Sequence, residues 1–139
     1  MVQQPFHSAW NTPPQPSPDA PILQRASLAY KTWYGTLPNL PRLAHQGIGG
    51  RIETLFLDLI TRLLQACFAS PKRKADLIRA ASSTLDTLKF FLQIAWELKL
   101  IDHKKYAHIS TPLAEVGRML GGWQKSATKK PATFGYGPS

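Results

Sequence analysis

Cysteine, acidic residues and long apolar runs are all scarce in this sequence, and each shortage excludes a class of protein. Cys67 is the only cysteine in 139 residues, so a disulfide framework is excluded and a reducing compartment fits. Charged residues interrupt the apolar helical patterns every few positions, so no segment is predicted to span a membrane. The first residues lack the charged start and apolar stretch of a signal peptide. These absences predict a soluble, cytoplasmic protein without a membrane partner.

The residue patterns that carry catalysis are missing as well. The histidines show no metal-ligand spacing, and none of Glu53, Glu97 and Glu115 has a histidine three residues on, as di-iron bundles require. The glycines between residues 47 and 50 lack the GxxxxGK(S/T) motif and follow no apolar strand, which sets nucleotide hydrolysis aside. Cys67 lies in an apolar helical pattern typical of a buried small hydrophobe. We therefore predict no catalytic residue, no metal, no cofactor and no enzyme.

What the sequence does contain is positive charge. Its 17 lysines and arginines outweigh 8 aspartates and glutamates, which gives a net charge of +9 and a pI near 10.0. Such a balance indicates a polyanionic partner such as nucleic acid. The aromatic cluster of Tyr30, Trp33 and Tyr34 could stack on bases, although a cluster of this kind more often belongs to the core.

The chain divides into three parts. Residues 1–20 are rich in proline and glutamine and are predicted to form a disordered leader. Residues 21–126 carry apolar side chains at helical spacing and form one domain, which is what 139 residues allow. Residues 127–139 lack periodicity and are predicted to form a flexible basic tail. No segment alternates as a half-buried strand does.

Within the domain, the apolar spacing predicts four helices separated by proline and glycine. The first runs from Pro21 to about Leu37, and the second begins near Pro41 and is strongest over residues 51–69. The third covers about residues 72–98, and the fourth follows an N-cap at Asp102 and extends to Lys125. The prediction is an all-α, antiparallel up-and-down four-helix bundle. Residues 51–69 are apolar on most sides, so a second buried face, and hence an oligomer interface, is expected.

The last helix contains the most distinctive stretch, TPLAEVGRMLGGWQK, from Thr111 to Lys125. Thr111 and Pro112 are typical of an N-cap and a first helical turn. Gly117 and Gly121 lie four residues apart, although each costs about 1 kcal/mol relative to alanine in a helix. A second helix that crosses too closely for a Cβ atom explains them, and so does a glycine C-cap.

Basic side chains near the connections are the candidate phosphate contacts. Lys72, Arg73 and Lys74 open the third helix, where the helix dipole disfavours cations, so either an anionic partner or simple solvation must account for them. Arg118 has an alternative role, since it could pair with Glu115 three residues back. The candidate nucleic-acid-binding residues are Arg42, Arg51, Lys72, Arg73, Lys74, Arg79, Lys89 and Arg118.

The order of these features resembles the accessory variability determinant (Avd) family of diversity-generating retroelements. The similarity is strongest over residues 94–125, where GRMLGGW is a specific motif. It is weaker over residues 37–52, where His45 stands in place of the family's arginine. The wider group of four-helix proteins encoded by ribosomal RNA intervening sequences shares the bundle. The leader and the tail lie outside the resemblance.

The resemblance implies a homopentamer of four-helix bundles with a basic surface. It implies a non-enzymatic partner of the element's reverse transcriptase that binds template-repeat RNA, and with it cDNA, during mutagenic cDNA synthesis. A generic four-helix oligomer of the intervening-sequence type is the alternative within the wider group. A purely structural oligomer, whose charge only maintains solubility, is a third interpretation.

Overall fold

The computed structural model describes the backbone of residues 20–134 and the side chains of residues 21–126. Over this part the chain is helical and contains no β-strand, as the sequence predicts. The predicted leader lies outside the described residues, apart from Ala20. The elements are α1 (Ala20–Tyr34), a 3-10 helix (Leu37–Asn39), α2 (Arg42–Gln46), α3 (Ile48–Phe68), α4 (Pro71–Glu97) and α5 (His103–Phe134).

The four long helices enclose a shared apolar core. Helix α3 packs on α4, α4 on α5, α5 on α1, and α1 on α3, so the contacts form a closed cycle. Each helix contributes fully buried side chains, among them Trp33 from α1, Phe56 from α3, Leu88 from α4 and Leu113 from α5. Burial of such side chains stabilises a fold by about 1.5–3 kcal/mol each relative to exposure.

The segment predicted as a second helix from Pro41 divides into two helices at Gly47. This glycine ends α2 and precedes α3 with φ −105° and ψ −109°, outside the helical region. Helix α2 then lies close against the start of α3: a Cβ atom on Gly49 would be 2.8 Å from the carbonyl oxygen of Ala44. Gly49 therefore permits a close backbone contact between α2 and α3.

Thr111 and Pro112 do not form the N-cap and first turn that their residue types suggest. Helix α5 passes through both residues, and the Thr111 hydroxyl donates to the Ala107 carbonyl, 2.9 Å away, instead of capping. Its N-cap is Asp102, whose Oδ1 accepts from the Lys105 N–H at 2.8 Å, as predicted. Pro112 removes one helical hydrogen bond, but it is buried in the face that continues through the core.

Helix α5 also continues past Ser126 as far as Phe134. The boundary drawn from the sequence therefore falls inside a helix rather than at its end. The division of the chain into leader, domain and tail stays a prediction.

The close helix crossing predicted at Gly117 and Gly121 is not present among residues 21–126, whose side chains the structure describes. A Cβ atom on Gly117 would meet only Leu85, at an ordinary contact distance of 3.5 Å. At Gly121 and Gly122 it would meet no atom within 4 Å. The C-cap alternative fails too, because the helix continues beyond these glycines. The fold of one chain thus does not require glycine at position 121.

Candidate nucleic-acid interface

The structure separates the eight candidate cations into groups at different places along the helices. Lys72, Arg73 and Lys74 form the first turn of α4, whereas Arg51 lies in the first turn of α3. Seventeen residues of helix separate Arg51 from the end of α3, which amounts to about 25 Å at 1.5 Å per residue. Because two residues connect α3 to α4, the Lys72 group and Arg51 lie at opposite ends of α3.

The first turn of α4 is held by ordinary capping interactions. Ser70 is the N-cap, and its hydroxyl accepts from the Arg73 N–H at 3.5 Å. Pro71 occupies the first helical turn. Lys72 and Arg73 are exposed. Neither forms an ion pair within the described part of the chain, so both side chains are available to an anion.

Lys74 differs from its two neighbours. Its Nζ lies 4.9 Å from the ring centroid of Trp123, a cation–π contact between α4 and α5. Lys74 and Trp123 are both half-buried. The lysine therefore contributes to helix packing, and only two members of the predicted cluster present their charge to solvent without such a contact.

Two further candidates have local environments that the sequence did not predict. Arg79 forms an ion pair with Asp76 one turn earlier. Glu115 pairs with Arg25 of α1 at 2.6 Å, not with Arg118 as the sequence allowed. Arg118 is exposed, and its charge is not compensated by a residue in the described chain.

The remaining candidates are exposed but separate. Arg42 lies in α2, Arg51 in α3 and Lys89 in α4. His45, which stands where the Avd pattern has arginine, donates from Nε2 to the Leu37 carbonyl at 2.7 Å. That bond ties α2 to the preceding 3-10 helix, so His45 has a local structural role.

The aromatic cluster of α1 belongs to the core. Trp33 is buried and stacks on Phe56 of α3 with ring centroids 6.4 Å apart. Tyr30 contacts the same ring edge-on at 5.6 Å. Both donate to Glu53. Of the three aromatics, only Tyr34 is largely exposed, so this cluster offers no stacking platform.

The connection from α4 to α5 carries basic and aromatic residues that the sequence analysis did not select. Lys99, His103 and Lys104 are exposed there, beside Trp96, which stacks on Tyr106. The sequence feature that could have indicated this site is Trp96 followed closely by the basic sequence HKK of residues 103–105. The positive φ of Lys99 could not be predicted, because lysine has no preference for that backbone conformation.

The described residues show no grouping of three or more His, Cys, Asp or Glu side chains that could hold a metal ion. Among the helices described, none combines the length and apolar character that crossing a membrane requires. The candidate functional groups on the described surface are therefore exposed lysine and arginine side chains, some of them beside aromatic rings.

Comparison with known families decides the affiliation. The model of the bAvd-like family matches residues 22–127, about three quarters of the chain. The chain belongs to the bAvd-like family. The Avd resemblance drawn from the sequence is thereby confirmed. Comparison with curated proteins and with solved structures gave no match.

Membership in the bAvd-like family suggests an accessory protein of a diversity-generating retroelement, associated with the element's reverse transcriptase. The family is not a known class of enzymes. The matched region runs from α1 into α5 and includes all eight candidate cations.

Proposed function

We propose that this chain is a non-enzymatic, nucleic-acid-binding accessory subunit of a diversity-generating retroelement reverse transcriptase. In this role it binds template-repeat RNA, and the cDNA copied from it, during mutagenic cDNA synthesis. The observation that carries the proposal is the bAvd-like match over residues 22–127. The net charge of +9 supports it, because phosphate contacts supply most of the affinity of sequence-independent nucleic-acid binding.

In the proposed architecture the four long helices form an antiparallel up-and-down bundle, and five copies assemble into a homopentamer. The closed cycle of helix contacts and the short connections between α3, α4 and α5 support the bundle. Apolar side chains left exposed on α3, Leu57, Leu64 and Phe68, support an interface between copies. Repetition of the basic surface around such an assembly multiplies its attraction for a polyanion.

The proposed phosphate contacts are Arg42, Arg51, Lys72, Arg73, Lys74, Arg79, Lys89 and Arg118. Lys72 and Arg73 are the strongest of these because they are exposed, adjacent, and placed where the α4 dipole does not favour them. Lys74 is the weakest of the cluster, since its ammonium already contacts Trp123.

The test is RNA binding across a salt series for the parent chain and the double variant Lys72→Gln/Arg73→Gln. Removal of one phosphate-binding cation should lower the slope of log K against log salt by about 0.7 for a single strand, because fewer counterions are released. We expect weaker binding, a smaller slope and an unchanged melting temperature. The matched control is the double variant Lys31→Gln/Arg62→Gln, which removes the same amount of charge at two positions outside the proposed contacts; its salt slope should stay closer to that of the parent.

Two results would contradict the proposal at different levels. Identical salt curves for the parent and the double variant would show that the start of α4 is only a solvated turn. Absence of salt-dependent RNA binding by the parent would remove the nucleic-acid function altogether and favour a purely structural oligomer.

A further inference from the structure

A cavity of about 490 Å³, open to solvent, lies at the α4–α5 connection, at the opposite end of α4 from Lys72 and Arg73. From Lys72 to Glu97 the helix rises about 38 Å, so this cavity is separate from the cations at the start of α4. Its lining combines an indole, an imidazole, an ammonium and two carboxylates: Trp96, Glu97, Lys99, Ile101, Asp102 and His103.

The Trp96 ring is held in a fixed orientation at this cavity. Tyr106 stacks on it with ring centroids 5.1 Å apart and an interplanar angle of 10°. The His103 ring lies 6.1 Å from the indole at 51° and lines the cavity, which Tyr106 does not. Trp96 is only half-buried. A rigid, partly accessible indole is a suitable surface for a planar ligand.

Lys99 occupies a backbone position that ordinarily belongs to glycine. Its φ is 64°, and the Lys99 and Leu100 N–H groups donate to the Trp96 and Ala95 carbonyls, 2.9 Å in each case. This is a Schellman C-cap, in which a residue with a Cβ atom is disfavoured relative to glycine. The Lys99 side chain is exposed and has no ion-pair partner in the described chain. Helix capping therefore does not account for the lysine, whereas a charge needed at the cavity does.

Two kinds of charged group lie at the cavity, lysine ammonium groups and carboxylates. Lys99 lines the cavity, and Lys104 follows the lining residue His103 in sequence; both are exposed cations suited to phosphate groups. Glu97 accepts from Gln93 at 3.1 Å, and Asp102 accepts from the Lys105 N–H. Ionised carboxylates only accept hydrogen bonds, so they fit the N–H groups of a base edge and repel a phosphate. These charges favour a nucleotide whose base lies beside the carboxylates and whose phosphate lies toward the lysines.

We propose that this cavity binds one unpaired nucleobase of a single-stranded RNA, which stacks on Trp96 while Lys99 and Lys104 contact the adjoining phosphates. The proposal rests on the proposed nucleic-acid function and adds to it a stacking site distinct from the phosphate contacts. It accounts for the combination of a fixed indole, an exposed lysine at a glycine position and hydrogen-bond acceptors within one cavity.

The experiment compares two RNA oligomers of equal length, one with all its bases and one with abasic positions at its centre. Both carry the same phosphates, so the ratio of their dissociation constants reports base contacts alone. We expect the parent to prefer the oligomer with bases by about tenfold, in the range measured for one stacked base. Trp96→Leu should abolish the preference. Trp123→Leu, which removes a second half-buried indole, should keep it.

Lys99→Gly tests the charge separately from the fold. Because glycine is favoured at this φ, the variant should melt at or above the parent's temperature, yet bind both oligomers more weakly. A variant that binds as the parent does would overturn the role of Lys99.

A further measurement does not depend on whether the Trp96 variant folds. Photocrosslinking of the parent to an oligomer containing 5-bromouracil, mapped by mass spectrometry, should label residues 96–103. Labelling only elsewhere, or a base preference retained in Trp96→Leu, would overturn the site. A parent that binds both oligomers equally would overturn the stacking site and leave the proposed function standing, whereas a parent that binds neither would overturn both.

Discussion

At the scale of single residues, Glu53 connects α1 to α3. Its carboxylate accepts from the Tyr30 hydroxyl at 2.5 Å and from Trp33 Nε1 at 3.0 Å. These bonds satisfy the polar atoms of two aromatic side chains whose rings pack on Phe56. A buried indole N–H without a partner would be costly. The carboxylate therefore allows an otherwise apolar interface to include both rings.

This network predicts a specific loss of stability in alkali. The hydrogen bond to Glu53, together with burial and the negative charge of Glu53, raises the pKa of Tyr30 to about 12. An unfolded tyrosine ionises near 10, so the unfolded chain loses its proton first as the pH rises. The contribution of Tyr30 is therefore complete below about pH 10 and is lost between about pH 10 and 12.

Tyr30→Phe should lower the free energy of unfolding at pH 7 by about 1.5–3 kcal/mol, the usual effect of losing a hydrogen bond to a charged group. It should also reduce the fall in stability between pH 9 and 11.5, as measured by urea denaturation. Tyr34→Phe is the control, because Tyr34 is 60% exposed; it should follow the parent. If the free energy of unfolding falls equally with pH in the parent and in Tyr30→Phe, Tyr30 is not the group that causes the alkaline loss of stability.

At the scale of helices, glycine has opposite consequences in α3 and α5. At Gly49 a Cβ atom would be 2.8 Å from the Ala44 carbonyl oxygen and 3.3 Å from Leu40 Cδ1, so the α2 backbone must shift. We expect Gly49→Ala to lower the free energy of unfolding by about 1–3 kcal/mol through overpacking. Gly121→Ala, in open space, should raise it by up to about 1 kcal/mol through helix propensity.

Thermal and urea unfolding of the two alanine variants gives the comparison directly. A Gly49→Ala variant as stable as the parent would contradict the close α2–α3 contact. A destabilised Gly121→Ala variant would show that a segment other than the described residues, such as a second chain, packs against the α5 backbone at this position.

The helix boundaries show which local signals can be read from sequence. Ser70 with Pro71, and Asp102, are recognisable as helix starts because capping depends on residues within one turn. The same local rule is misleading at Thr111 and Pro112, where burial of the continuous α5 face outweighs one missing hydrogen bond. Tertiary packing overrides local preference at such a position, and packing cannot be read from one segment.

At the scale of the whole molecule, the candidate site was only partly predictable. Residue type and position identified the exposed cations, but their partners depend on the fold: Glu115 reaches Arg25 in α1, ninety positions away in sequence. The α4–α5 cavity was missed for a related reason. A Schellman turn is ordinarily recognised by its glycine, and Lys99 conceals it.

The exposed apolar face of α3 carries the prediction for the assembly. Leu57, Leu64 and Phe68 lie seven and four residues apart on one stripe, and 45%, 48% and 69% of their surfaces are exposed. Such a stripe predicts contact with another copy of the chain.

Light scattering at micromolar concentration should therefore give a multiple of the 15.5 kDa chain mass, five-fold for the proposed pentamer. Leu64→Gln/Phe68→Gln should reduce that mass while circular dichroism stays unchanged, whereas Leu43→Gln, at an 82% exposed position of α2, should retain the assembly. A stable monomer of the parent would exclude the interface, and an assembly unaffected by the double variant would move it to another face.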